Sequence, residues 1–220
     1  MLHARIEEVE RRIRAAALRA GRRREEITLV AVTKMFPASA MRAAYELGLR
    51  EFGENYVREF EGKRPDLLDL AGARYHLIGH LQSNKAQRAA GLFDVIQTVD
   101  SSKLARRLSQ SAQRELQVMI EVKLAGEDAK SGARPEDLPA LIETLASCPS
   151  LRLTGLMAMP PWSEAPEASR PYFRALRELA LRHRLACLSM GMSHDLEVAI
   201  EEGATHVRVG SAIFGPRRQP

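Results

Sequence analysis

The stretch LSMGMSHDLEVAIEEGATHVRVGSAIFG, residues 188–215, contains two apolar runs joined by a helix-like segment. The first run begins two residues before the quoted stretch and covers 186–190, and the second run covers 206–210. Between them Ser193 precedes an amphipathic segment, at the position where a serine side chain caps a helix N-terminus. Strand, helix and strand in this order form the unit of a parallel sheet with helical crossovers. This stretch therefore predicts an α/β fold.

The same alternation extends over the rest of the chain, after an opening helix at about 2–20. We predict eight strands, at 27–33, 49–53, 75–79, 94–99, 117–122, 152–158, 186–190 and 206–210. Helical stretches separate them, for example at 38–47, 101–113 and 135–147. Eight such units in 220 residues match a (β/α)8 TIM barrel. We therefore predict one domain, 1–220, with this fold and an extra N-terminal helix.

An open, doubly wound sheet is the alternative fold. It is disfavoured because no G-x-G-x-x-G follows the first predicted strand, and because eight strands make a wide open sheet. In a barrel, functional side chains follow the strands at the rim formed by their carboxyl ends. The residues just after each strand are therefore the ones to search for a site.

Composition limits the classes of partner. The net charge is +5, but the basic groups at 11–14 and 22–24 flank one helix without aromatic residues between them. A solvated helix face fits this pattern better than a nucleic-acid site. Cys148 and Cys187 lie far apart without metal-ligand spacing, so we predict neither a disulfide nor a metal site. The sequence contains no long apolar run and no signal-peptide pattern, which predicts a cytoplasmic protein without membrane contact.

A lysine follows the first predicted strand. Lys34 ends the run TLVAVTK, 28–34, in a chain whose 33 Lys and Arg are mostly arginine. A lysine at a strand end commonly extends into water. At the rim of a barrel mouth, however, partial desolvation lowers the pKa of the amine and makes it a nucleophile for an aldehyde. Lys34 is therefore a candidate for Schiff-base formation.

Small residues follow the last two predicted strands. Gly191 and Ser193 come after the seventh strand, and Gly210 and Ser211 come after the eighth. Each pair alone is typical of a capped helix or a glycine turn. In TIM barrels, however, the loops after strands seven and eight frequently bind phosphate. A Schiff-base lysine beside a phosphate site together indicate pyridoxal 5′-phosphate, PLP.

Several motifs occur in the order found in one known family. They are LVAVTK (29–34), ELGLREFGENYVRE (46–59), YHLIGHLQSNK (75–85), AKSG (129–132), GLMAMP (155–160), LSMGMSHD (188–195) and VRVGSAIFG (207–215). With these motifs the chain resembles the YggS/PROSC family of PLP homeostasis proteins, whose barrel is related to the N-terminal barrel of alanine racemase. The resemblance implies a PLP barrel of the fold-type III kind.

The resemblance also implies roles for individual residues. Lys34 would hold PLP as a Schiff base, Asn55 would lie near the ring oxygen, and Arg208 would approach the pyridine nitrogen. The segments that would contact the phosphate contain Ser189, Gly191, Ser193, Gly210 and Ser211. Met192 is expected to pack against whatever fills the barrel mouth. For Lys130 the resemblance suggests a secondary role in handing PLP on, while a solvated loop lysine is the default expectation.

Two of these residues have plain structural alternatives. Asn55 is placed to cap a helix beginning near Tyr56, and Arg208 is placed to pair with Glu121 inside the barrel. His80 is expected to bond to the backbone. Trp162 is expected as a surface plug rather than as a cofactor contact.

Two functions remain open from the sequence. The first is a monomeric carrier that buffers PLP and delivers it to apo-enzymes. The second is an amino-acid racemase or related PLP enzyme, which needs acid/base groups on both faces of the substrate. In the racemases that this barrel resembles, the acid/base group on the face opposite the lysine comes from a separate β-domain. In this chain that group would have to be Tyr56, His80 or His194. A carrier with weak side activity is therefore expected, and an aldolase-like use of Lys34 on a phosphorylated sugar is a third possibility.

Overall fold

The computed structural model describes residues 1–125 and 131–216. The strands are β1 (Thr28–Val32), β2 (Glu51–Glu54), β3 (Arg74–Leu77), β4 (Val95–Val99), β5 (Leu116–Glu121), β6 (Leu151–Met157), β7 (Cys187–Met192) and β8 (His206–Val209). The helices are α1 (Leu2–Arg19), α2 (Ala38–Glu46), α3 (Val57–Lys63), α4 (Ala86–Leu92), α5 (Ser102–Ser111), α6 (Leu138–Ala146), α7 (Arg170–Arg182), α8 (Leu196–Glu201) and α9 (Ser211–Phe214). Short 3-10 turns precede several of them.

The eight strands form a closed parallel barrel. Each strand pairs with the next along the chain, and β8 pairs back onto β1 with Arg208 opposite Val30. This closure confirms the predicted (β/α)8 fold and excludes the open sheet. Because all the strands run the same way, the residues that follow them meet at one end of the barrel.

The predicted strand positions differ from the observed ones at their ends. The second strand was predicted from residue 49 but begins at Glu51, because Gly48 has a φ of +96° and Leu49 still bonds back to α2 through the Ala44 carbonyl. The seventh strand was predicted to stop at 190 but extends to Met192, which pairs with Arg208 across a register shift. The end of β7 therefore lies nearer the barrel mouth than expected.

The core lies between the barrel and its outer helices, as the hydrophobic pattern requires. In β4 every residue is buried, because a strand enclosed within a barrel is covered on both faces. In α1 one stripe is buried, formed by Ile6, Val9, Ile13, Ala16 and Ala17 at helical spacing. This helix is also joined to α8 by an ion pair between Arg12 and Glu197 at 2.6 Å. The predicted extra N-terminal helix therefore packs against the last part of the barrel.

Within residues 1–125 and 131–216, no helix is both long and apolar enough to cross a membrane. Both cysteines are free, with Cys148 buried and Cys187 half-buried.

Candidate functional site

A cavity of about 320 Å³ opens at the carboxyl-end mouth of the barrel. Seven of the nine predicted cofactor residues line it, namely Lys34, Asn55, Met192, Ser193, Arg208, Gly210 and Ser211. The lining is completed by Val32, Ile78, Met159, Trp162 and His194. Residues from both ends of the chain therefore meet in one space, because the barrel closes between β8 and β1.

Arg208 is a buried cation that faces the cavity from β8. Its side chain is 4% exposed and donates to the Ser189 hydroxyl at 2.6 Å and to the Ala158 carbonyl at 3.0 Å. Burial lowers the pKa of Arg208 to about 10. Because this pKa is still well above 7, the guanidinium keeps its charge at neutral pH. The alternative pairing of Arg208 with Glu121 is wrong as a hydrogen-bonded contact. The Glu121 carboxylate instead accepts from the Ser131 hydroxyl at 3.3 Å.

Ser189 lies beneath the cavity rather than in its lining. It is fully buried on β7, where its hydroxyl donates to Gln97 Oε1 at 2.6 Å while accepting from Arg208. Gln97 Nε2 in turn lies 2.9 Å from His76 Nδ1, and His76 Nε2 lies 2.5 Å from a Glu51 carboxylate oxygen. Both hydrogen bonds of the Ser189 hydroxyl go to buried side chains inside the barrel, Gln97 and Arg208. The expectation that Ser189 itself contacts the cofactor therefore gains no support.

Asn55 follows β2 and presents an unsatisfied side chain. Its Oδ1 atom is buried and has no hydrogen-bond partner among the described residues. The capping alternative is wrong, because α3 has Tyr56 at its N-cap position and no side chain bonds to its first amides. Buried amide oxygens are rarely left unpaired. The orphaned oxygen of Asn55 therefore marks a place for a hydrogen-bond donor in the cavity.

The backbone of Asn55 also explains a nearby glycine. A Cβ added to Gly79, at the end of the YHLIG run, would lie 2.3 Å from the Asn55 carbonyl oxygen. Any side chain at residue 79 would therefore displace the segment that carries Asn55.

The loop after β7 differs from its prediction at Ser193. Ser193 does not cap α8, because Asp195 occupies the N-cap position and its carboxylate accepts from the Met192 amide at 2.7 Å. The Ser193 hydroxyl instead accepts from the Ala212 amide at 3.3 Å, which joins the loops after β7 and β8.

Gly191 serves packing and does not line the cavity. It has a φ of +88°, and a Cβ there would lie 2.5 Å from the Cβ of Ala199. The glycine therefore lets α8 approach β7, and the predicted close approach to a ligand finds no support at this residue. Gly210 does line the cavity, packed against Val32 of β1, where an added Cβ would lie 3.3 Å from the valine Cβ.

Two aromatic side chains form the outer edge of the cavity. Trp162, on the loop after β6, is 75% exposed, and its ring stacks on His194 with centroids 6.5 Å apart. The sequence predicted a surface plug, and Trp162 is exposed, but it also contributes to the lining. Of the three residues considered as an opposing base, Tyr56 and His80 do not line the cavity and His194 does.

His80 lies beside a carboxylate, and its ring forms no hydrogen bond with the backbone of the described residues. Its Nδ1 atom is 3.5 Å from Asp100 Oδ2, and its side chain is half exposed.

A second cavity of about 440 Å³ lies next to the first and shares Met159, Trp162 and Met192 with it. Lys130, the residue expected to hand the cofactor on, lies outside the described residues.

Sequence and structural comparisons define the relatives of this chain. Residues 5–218 match the model of the alanine racemase N-terminal domain. The pyridoxal phosphate homeostasis protein of Pseudomonas aeruginosa is 48% identical over 217 residues, covering 96% of this chain and 94% of the relative. The protein of that name from Escherichia coli K12 is 43% identical over 222 residues, covering 96% and 95%.

Among solved structures, PipY from Synechococcus elongatus PCC7942 with PLP bound matches with a TM-score of 0.85 and 37% identity, covering 98% of this chain and 100% of PipY. The similarity runs through almost the full length of each of these relatives. The chain therefore belongs to the family of pyridoxal phosphate homeostasis proteins, which is built on the alanine racemase N-terminal domain.

Proposed function

We propose that this protein binds PLP in the cavity at the barrel mouth, holds it as a Schiff base on Lys34, and serves to buffer PLP and deliver it to apo-enzymes. The observation that carries the proposal is the convergence of three complementary groups on one cavity: a lysine, a buried arginine and an orphaned amide oxygen. The names of the relatives and the PLP bound to PipY support the same ligand.

The polar groups of the cavity fit the parts of PLP one by one. The phosphate fits the turns at Ser193, Gly210 and Ser211, which bring two hydroxyls and the backbone of a glycine to the cavity. Asn55 is left to bond a polar substituent of the ring through its amide. Arg208 fits the pyridine nitrogen, and a guanidinium there would keep that nitrogen unprotonated.

Lys34 supplies the covalent link in this proposal. Its amine would condense with the aldehyde, forming one C=N bond and releasing one water that carries away the carbonyl oxygen and two protons. PLP supplies an electron sink when bound. An arginine in place of an acid at the ring nitrogen weakens that sink, which fits either a carrier or a modest catalyst.

The cavity lining favours a carrier over a racemase. Racemisation needs a proton donor on one face of the substrate and an acceptor on the other. Apart from Lys34 and Arg208, His194 is the one titratable side chain that lines the cavity in the described part of the chain. His194 is exposed and stacks on Trp162, so weak racemase activity is the second candidate function. Incubation with L-alanine and chiral analysis tests it, since rapid turnover that His194→Ala abolishes would replace the carrier.

We further propose that the protein acts in the cytoplasm as a monomer. Sedimentation of the PLP-loaded protein tests the monomer, which a dimeric mass would contradict. Pull-down with a PLP-free apo-enzyme, followed by measurement of regained enzyme activity, tests delivery.

Lys34→Ala is the deciding experiment for the proposed function. Wild-type protein incubated with PLP and reduced with borohydride should carry the cofactor on Lys34 in peptide mapping. Lys34→Ala should lose this adduct and retain weaker, phosphate-anchored binding. Lys85→Ala removes an exposed lysine after β3 and should behave as wild type. An unchanged imine absorbance in Lys34→Ala would show that another amine captures the aldehyde.

A further inference from the structure

A buried ion cluster lies directly behind Lys34. Lys63, at the end of α3, is 8% exposed, and its amine lies 2.8 Å from Glu54 Oε1 and 2.6 Å from Glu59 Oε1. Glu54 is fully buried at the end of β2. The cluster comes from β2 and α3, yet none of its three side chains lines the cavity. Its role must therefore be sought in what else it contacts.

The cluster contacts the backbone on both sides of Lys34. Before Lys34, the Thr33 carbonyl accepts from the Lys63 amine at 3.0 Å, and the Thr33 hydroxyl donates to Glu54 at 2.7 Å. After Lys34, the Met35 amide donates to Glu59 Oε1 at 2.7 Å. The residues that flank Lys34 are therefore both bonded to one set of charges.

The backbone after Lys34 adopts a conformation that needs such support. Met35 has a φ of +67°, in the left-handed region that residues with a Cβ seldom occupy. Its side chain is 51% exposed, so burial of that side chain does not explain the conformation. Unusual backbone geometry persists where surrounding contacts hold it, and it clusters at functional sites. The bond from the Met35 amide to Glu59 supplies such a contact.

We propose that Lys63, Glu54 and Glu59 are positioning residues that fix the backbone around Lys34 and so aim its amine into the cavity. This inference rests on the proposed function, because it assigns the cluster to the lysine that captures the aldehyde. None of the three side chains lines the cavity. Its effect should therefore fall on the rate of covalent capture and not on recognition of the phosphate and ring.

Glu59 offers the sharpest test, because one oxygen atom of this side chain holds both Met35 and Lys63. Glu59→Ala removes the acceptor for the Met35 amide, whereas Glu59→Gln keeps an oxygen in its place. Glu61→Ala is the matched control on the same helix, since Glu61 forms an exposed ion pair with Arg88 at 3.7 Å. All three proteins are full length and are compared with wild type.

Two measurements separate positioning from general damage. The first is the rate of imine formation with PLP, followed by absorbance and trapped with borohydride. The second is the equilibrium binding of pyridoxine 5′-phosphate, which has an alcohol in place of the aldehyde. Glu59→Ala should slow imine formation by about tenfold or more, because small misplacement of a reacting group has large kinetic effects. Its binding of pyridoxine 5′-phosphate should stay close to wild type, and Glu59→Gln should recover most of the rate.

A readout without cofactor covers the case in which the proposed function itself fails. Amide hydrogen exchange at Met35 should accelerate in Glu59→Ala and remain slow in Glu59→Gln and Glu61→Ala. The rate at which formaldehyde and borohydride methylate Lys34 should change in the same order. If wild-type protein formed no adduct with PLP, the proposed function would be wrong, and these two rates would still decide whether the cluster aims Lys34.

Two results would overturn the inference. One is faster exchange at Met35 with unchanged reactivity of Lys34, which would make the cluster a purely structural feature. The other is a parallel loss of imine formation and pyridoxine 5′-phosphate binding in Glu59→Ala, which would mean that the whole cavity depends on Glu59.

Discussion

Lys63 and Arg208 are both buried cations near the barrel mouth, and their surroundings differ. Lys63 contacts two carboxylates, Glu54 at 2.8 Å and Glu59 at 2.6 Å. Arg208 bonds to a hydroxyl and a carbonyl, and within the described residues no carboxylate forms an ion pair with it. Within the described residues, the Lys63 charge is therefore paired with carboxylates in direct contact, whereas the hydrogen bonds of Arg208 go to neutral groups and the Asp195 and Glu121 carboxylates act on its charge without an ion-pair contact.

From this difference we infer that Lys63 acts in the structure around Lys34 and that Arg208 acts in ligand binding. A buried charge is expensive unless an opposite charge or several hydrogen bonds compensate it. The charge of Lys63 is fully engaged with the backbone and carboxylates behind Lys34. The charge of Arg208 remains available to the cavity that it lines. The contrast predicts that Lys63 matters mainly for the fold around Lys34, and Arg208 mainly for the ligand.

The largest expected effect is on the free energy of unfolding of Lys63→Met. Removing one partner of a buried ion pair leaves uncompensated charge, which costs about 3 kcal/mol. Burial already raises the pKa of Glu54, and loss of Lys63 would favour its protonated form further. Urea unfolding measures the change. Arg88→Met breaks the exposed pair with Glu61 and should cost less than about 0.5 kcal/mol; equal losses in the two variants would refute the structural role of Lys63.

Arg208→Met should show the opposite balance. Arg208 forms no ion-pair contact within the described residues, so its loss should lower the free energy of unfolding by less than the loss of Lys63, by about 1 kcal/mol from the two hydrogen bonds that are removed. Its affinity for pyridoxine 5′-phosphate should fall by about thirtyfold, or about 2 kcal/mol, since a hydrogen bond from a charged group is lost. Fluorescence titration measures the affinity. A large loss of stability with unchanged affinity would reverse the roles assigned to the two cations.

His206 is a half-buried basic residue near Arg208, and unlike the two buried cations it is neutral at pH 7. It lies two residues before Arg208 on β8, and burial together with the neighbouring His76 lowers its pKa to about 4. The unfolded state therefore binds the proton more readily than the folded state. The stability that neutral His206 contributes is present above about pH 6.5 and is lost as the pH falls towards 4.

The difference in free energy of unfolding between wild type and His206→Gln, measured as a function of pH, isolates the contribution of His206. The free energy of unfolding of wild type should drop relative to the variant by about 1 to 2 kcal/mol between pH 7 and pH 4, a value reduced because the ring is partly exposed. Buried carboxyls with raised pKa values, such as Glu121, act in the opposite direction in both proteins and cancel in the difference. Parallel pH curves for the two proteins would mean that His206 titrates normally.

The sequence predicted which residues meet at the barrel mouth where their position depends on barrel topology alone. Lys34, Asn55, Ser211 and their neighbours directly follow strands, and closure of the barrel brings strand ends together whatever the details of packing. Apolar runs alternating with amphipathic segments were enough to predict that closure.

The wrong helix-cap prediction at Ser193 arose from side-chain direction and helix packing, which spacing does not specify, and the same packing places Gly191 against α8. Whether a serine caps its own helix or reaches the next loop depends on how α8 lies against β7. The Lys63 cluster was missed for the same reason, because α3 must fold back behind β1 before Lys63 reaches Thr33. Gln97 had a visible signal, since a polar residue interrupts the buried run of β4, but its partner Ser189 lies 92 residues away in the sequence.

Ser189→Ala is the finest test of the comparison between the two cations. Ser189 is a neutral partner of Arg208 and does not line the cavity. Its removal should let the guanidinium shift and should leave Gln97 Oε1 without its donor, which weakens binding of pyridoxine 5′-phosphate by about fivefold, or about 1 kcal/mol. Thr154→Ala is the control, because the Thr154 hydroxyl on β6 donates to the Val118 carbonyl and Thr154 does not line the cavity. If Ser189→Ala bound as tightly as the control, Arg208 would hold its orientation without the hydroxyl, and the neutral support inferred for this cation would reduce to the Ala158 carbonyl.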